Sequence, residues 1–142
     1  MQDRNRSRRT FLALVPGALV GALVGARSAA AHAGGAPRAY EHPQPRVGID
    51  ASAVLTKGQL ANPSADPVFE LARELPEVMD GVLCHCGCAE LDGFYSLLSC
   101  FEKQGMAQFC QICQGEARIV HELHGKGKSL EAIRTSIDAR YG

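Results

Sequence analysis

Three cysteines occupy alternate positions in "GVLCHCGC", Gly81 to Cys88, and Cys100 and a C-x-x-C pair, Cys110 and Cys113, follow. All six cysteines of the chain fall within 30 residues. A disulfide needs Cα atoms about 4.4 to 6.8 Å apart, and neighbours in C-x-C meet that geometry only with strain. Cys84, Cys86 and Cys88 are therefore expected not to pair with one another. In a looped backbone, alternate side chains fall on one side, and Gly87 lets the chain curl around an ion. Cys110 and Cys113, three residues apart, share a helix face. Sulfurs converging in this way suit a soft ion, Cu(I) or Zn(II), over Mg or Ca. The expected ligands are Cys84, Cys86, Cys88, Cys110 and Cys113, with copper ahead of zinc and an Fe–S cluster third.

Other residues near this set carry weaker signals. Cys100, in the apolar "LLSCFEKQG", reads equally as an inert buried thiol, a disulfide partner or a ligand. Met106 would add a soft atom, although methionine on such a face is more often core. His85 stands between two thiols and could lend a nitrogen. His121 and His124 lie about 12 Å or more beyond Cys113 along a helix axis, too far to share its ion. They suit the negative end of that helix instead. His42 has no visible partner.

The elements that must position these thiols read as helical. Asp66 is placed to cap a helix starting at Pro67, with Val68, Leu71, Ala72 and Leu75 on one face and Pro76 ending or kinking it. Asp80-Gly81 marks a turn into the cysteine segment. "AELDGFYSLLSCFEKQG" predicts a short helix with Phe94, Leu97, Leu98 and Phe101 inward. "MAQFCQICQGEARIVHELHG" predicts a longer one, striped by Met106, Phe109, Cys110, Cys113, Ala117, Val120 and His124. Ser129 caps a last helix carrying Leu130, Ile133 and Ile137. The expected fold is all-α: a small cysteine-rich domain of three to four short helices with an irregular C-x-C-x-C loop, over residues 65–142. A core of that size contributes roughly 3 to 5 kcal/mol, so a metal or disulfide staple is expected.

Residues 34–64, with prolines at 37, 43, 45 and 63 and no helical period, read as a flexible lead-in. Before them, Arg8 and Arg9 precede about 16 apolar residues and a run of small ones, the pattern of a cleavable export signal over residues 1–33. The stretch is short for a membrane span, which needs about 20 apolar residues, so membrane contact is expected only through the uncleaved signal. Ser7-Arg8-Arg9-Thr10-Phe11-Leu12 resembles the twin-arginine export signal, with cleavage after Ala31 or Ala33. That resemblance implies a bacterial periplasmic or extracellular protein that crosses the membrane already folded. The signal holds five of the 15 basic residues and one of the 15 acids, leaving ten bases against fourteen acids. This acidic balance excludes the basic stripe that nucleic-acid binding requires.

"LCHCGCAELDGFYSLLSCF", followed by "FCQICQGEARIVHEL" and "GKGKSLEAIRTSIDARYG", resembles the bacterial exported proteins of the PCYCGC-motif, or CYCXC, family over roughly Leu75 to Tyr141. Cys84, Cys86, Gly87 and Cys88 match the motif, Cys100-Phe101 a later Cys-Phe, and Cys110 with Cys113 the downstream C-x-x-C. Leu83 replaces the motif proline, His85 replaces its tyrosine, and the lipobox cysteine of many relatives is missing. Selenocysteine-containing relatives imply metal or redox chemistry.

The expected function is metal handling by an exported protein, with a soft metal ion as its cargo and a metal-delivery or redox protein as partner. One rival is a thiol-disulfide oxidoreductase using Cys110 and Cys113, without the βαβ pattern such enzymes carry. The other is a module stapled by three disulfides. Neither a Ser-His-Asp spacing nor a phosphate loop is present, and "HELH" at His121 falls one residue short of the zinc motif HExxH.

Overall fold

The computed structural model describes residues 41–103 and 105–142. The predicted signal, residues 1–33, and the first part of the predicted lead-in lie outside the described residues. The described residues form an all-helical domain without strands. Its α-helices are α1 (Asp66–Glu74), α2 (Pro76–Asp80), α3 (Gln111–Gly125) and α4 (Leu130–Tyr141), joined by short 3₁₀ turns. No helix among them is long and apolar enough to cross a membrane.

The core gathers Val68, Phe69 and Ala72 of α1, Met79 of α2, Val120 of α3 and Ile133 and Ile137 of α4, all buried. Phe69 meets Phe101 edge to face, with ring centroids 4.9 Å apart. Helices α3 and α4 pack closely at Gly115, where a Cβ would stand 2.0 Å from the Tyr141 hydroxyl. Four of the cysteines, Cys84, Cys88, Cys100 and Cys113, belong to this same buried set.

Several local expectations change. Asp66 begins α1 but does not cap it. Its carboxylate instead pairs at 2.8 Å with Arg73, about two turns further along the same face, and Arg73 also donates to the Leu55 carbonyl. The Asn62 side chain caps the preceding turn, Pro63–Ala65, by accepting the Ser64 N–H at 3.3 Å. Among the described residues from Leu91 to Gly105, only Leu98–Phe101 is helical, as a 3₁₀ turn. Ser99 Oγ accepts the Tyr95 N–H at 3.1 Å, and serine side chains that satisfy nearby backbone compete with an α-helix. Leu97, Leu98 and Phe101 are nevertheless fully buried, as the apolar pattern required.

The long helix starts later than its stripe suggested, at Gln111, so Cys110 is its N-cap residue in extended conformation. Side chains hold the segment before it: Asn62 Nδ2 donates to the Gln108 carbonyl at 3.0 Å and Gln114 Nε2 to the Ala107 carbonyl at 2.9 Å. Met106 and Phe109 are consequently exposed rather than core. Ser129 caps α4 as expected, accepting the Ala132 N–H at 3.3 Å.

The lead-in read as flexible is anchored from His42 onward. Val54 and Leu60 are buried, and the Leu55 N–H donates to the Phe101 carbonyl at 3.0 Å. His42 Nδ1 accepts the Leu83 N–H at 3.0 Å, while Nε2 lies 3.0 Å from Asp138 Oδ1. Arg46 clamps the fully buried Asp80 through its backbone N–H at 2.7 Å, Nε at 3.1 Å and Nη2 at 2.7 Å, and Ser96 Oγ adds a bond of 2.8 Å. Isolated buried residues between prolines leave no periodic trace, which is why the segment read as loose.

Burial alone would raise the Asp80 carboxyl, but the Arg46 and Ser96 bonds outweigh it and hold Asp80 below the usual carboxylate range. A depressed folded value means stability that is present above the unfolded value, about 3.9, and lost as pH falls through the folded one. Asp80→Ala is expected to cost about 2 to 3 kcal/mol at neutral pH, the worth of its charged hydrogen bonds. Thermal melts at pH 7 and pH 3 should show the wild type losing stability below about pH 4 and the variant losing less.

Candidate metal centre

The cysteine loop is held from three sides. His42 of the lead-in takes the Leu83 N–H. Glu116 of α3, fully buried, accepts the His85 backbone N–H at 2.9 Å and lies 2.8 Å from its ring Nδ1. His85 Nε2 lies 3.1 Å from Asp138 Oδ1 of α4. With both ring nitrogens engaged by carboxylates, His85 positions the loop rather than joining the sulfurs. Gly87, at φ +86°, takes the left-handed conformation that turns the chain into the 3₁₀ turn Cys88–Glu90.

All six cysteines are free thiols. The sulfurs of Cys84, Cys86, Cys100 and Cys113 lie within 4.8 Å of one another. Cys86 Sγ is 3.2 Å from Cys84, 2.9 Å from Cys88 and 3.5 Å from Cys113, and Cys84 and Cys113 are 3.5 Å apart. A tetrahedral ion with metal–sulfur bonds of about 2.3 Å sets its sulfurs about 3.8 Å apart. The four thiols are thus gathered at the scale of a single thiophilic ion.

Of the five sequence-expected ligands, Cys84, Cys86 and Cys113 are brought together in that set. Cys88 adjoins it through Cys86. Cys110, half-buried at the start of α3, adds to the rise of the Cys113 thiol and acts electrostatically on Cys88. The fourth member is Cys100, whose sequence surroundings said only that it was buried. Its turn aims Cys100 at the sulfurs while Phe101 packs on Phe69. Glu116 also escaped the sequence reading, although it lies three residues from Cys113 on the same face of α3. His121 meets Glu74 at 2.8 Å on the surface, and neither it nor His124 approaches the sulfurs.

The thiols differ sharply in acidity. A hydrogen bond with Cys100 favours ionisation of Cys84, but Cys113, burial and the Glu116 carboxylate together push it far above the ordinary thiol range. For Cys100, Cys113 favours ionisation, and Cys84 and burial overcome it. Cys113 is raised by Cys100, although Cys84 opposes this, and by burial. Burial, then Cys86, pushes Cys88 up to about 11. Cys86 is lowered: burial opposes its charge, but hydrogen bonds from Cys88, its backbone, Cys84 and Cys113 outweigh burial. One thiolate cradled by thiols is the place where a cation first gains attraction, and each further thiolate needs that cation to offset its burial.

In reduced, metal-free protein, iodoacetamide is therefore expected to label Cys86 first, at a rate that titrates below the ordinary thiol pKa. Peptide mass mapping should show Cys84, Cys100 and Cys113 labelled slowly, and metal loading should protect Cys86.

The fold and site define a small all-helical domain built around a buried thiol cluster. The chain belongs to the family described as "protein of unknown function with PCYCGC motif", whose model matches residues 52–142. That match reaches upstream of the resemblance read from the cysteines and takes in part of the anchored lead-in. No curated protein and no solved structure matches the chain.

Proposed function

We propose that the protein is an exported carrier of a soft metal ion, with copper, as Cu(I), its main cargo. The observation that carries this reading is the buried set of four sulfurs within 4.8 Å of one another. Copper is favoured over zinc because Cys88 and Cys110 adjoin that set, supplying more thiols than one tetrahedral zinc takes. An Fe–S cluster spreads its ligands around several metal atoms and suits so tight a set less well.

Native mass spectrometry of the reduced chain, kept anaerobic, is the test. Bound metal with protected thiols is the expected result. Metal-free protein with three disulfides overturns the reading in favour of a stapled module. Export by the twin-arginine route rests on Ser7 to Leu12 and is tested by following a reporter fused behind residues 1–33, with export lost in the variant carrying Arg8→Lys and Arg9→Lys.

One observation favours a thiol-disulfide redox protein as the second reading. Cys110 sits half-buried at the N-terminus of the 15-residue α3 with Cys113 in its first turn, the C-x-x-C placement of redox dithiols. Turnover of a small disulfide substrate by metal-free protein, abolished by Cys110→Ser, would establish it.

A further inference from the structure

Resting on the metal-carrier reading, the geometry points to two adjoining Cu(I) sites that share the Cys86 sulfur, one sealed in the core and one facing solvent. Cys86 has three sulfur neighbours, at 3.2 Å (Cys84), 3.5 Å (Cys113) and 2.9 Å (Cys88). Two of these lie in the four-sulfur set and the third lies outside it. A thiolate has lone pairs enough to bind two soft ions at once, and Cys86 is the sulfur placed between two groups.

The groups differ in access. On the inner side, Cys84, Cys100 and Cys113 are 3%, 0% and 0% exposed. On the outer side, Cys86 and Cys110 are both partly exposed, while Cys88, 2.9 Å from Cys86, is 6% exposed and feels the charge of Cys110. Cys110 opens α3, whose first N–H groups have no partner within the helix and stabilise negative charge there. Together these three thiols would offer Cu(I) the low coordination number it accepts, with Cys86 and Cys110 open to a donor or acceptor protein. The inner site stores the ion and the outer one exchanges it.

The test is a titration of the full reduced chain with Cu(I), anaerobically, read by native mass spectrometry beside Zn(II). The wild type is expected to reach two Cu(I) per chain but only one Zn(II). The variant carrying Cys88→Ser and Cys110→Ser should stop at one Cu(I). Cys110→Ser alone, a near-isosteric change at a partly exposed position on the edge of the core, serves if the double variant does not fold, and should bind the second Cu(I) at least tenfold more weakly. A soluble Cu(I) chelator should remove one ion quickly and the other slowly. Saturation of the wild type at one Cu(I), or two equally tight Cu(I) in the outer-site variants, overturns the shared-sulfur arrangement while leaving the carrier reading intact. No metal uptake at all overturns both.

Discussion

Cys100→Ser is expected to weaken binding of the first metal ion roughly hundred- to thousandfold. Structural thiolate sites hold their ion with about 10 to 16 kcal/mol, or about 2.5 to 4 kcal/mol per ligand of four, and each 1.4 kcal/mol is tenfold. The comparison that gives this meaning is Cys88→Ser, which leaves the four-sulfur set whole and should change that affinity far less. Competition with a chromophoric chelator measures both. Equal losses in the two variants would show that the first ion does not sit among Cys84, Cys86, Cys100 and Cys113.

Phe101→Ala is expected to leave the metal-free chain without a cooperative melt and to recover one when metal is added. Removing a buried phenylalanine costs about 3 to 5 kcal/mol, and Phe101 is fully buried against Phe69. A core this small contributes no more than that. A ligand at a thousand times its dissociation constant returns about 4.1 kcal/mol, provided it binds only the folded state. Thermal melts by circular dichroism, with and without saturating Cu(I), read the effect directly. A variant as cooperative as wild type without metal would mean that the core, rather than the cysteines, dominates stability.

The parts of the molecule legible in the sequence are those with a local period or a local spacing. The repeats at three and four gave α4 and its core residues, Ile133 and Ile137. Alternation with Gly87 gave the curled loop. Cys100 and Glu116 were not legible as site residues because Cys100 reaches the other sulfurs, and Glu116 its partner His85, across the fold. An apolar run shows that Cys100 is buried but not what it is buried against. The late start of α3 was hidden for a related reason: Asn62, 46 residues upstream of Gln108, holds the segment before it out of the helix. Side-chain bonds of that range carry no periodic signature.

The bond between His42 and Asp138 spans 96 positions of sequence. Closing a flexible chain of that length costs about 4 kcal/mol in entropy beyond a constant, on logarithmic scaling. A single hydrogen bond contributes only about 0.5 to 1.5 kcal/mol, so this contact cannot draw the ends of the chain together by itself. It forms because the helices between have already brought the two residues side by side. His42 is thus a latch on a finished body, and its release would free Leu83, next to Cys84, without dismantling the helices that carry the other sulfurs.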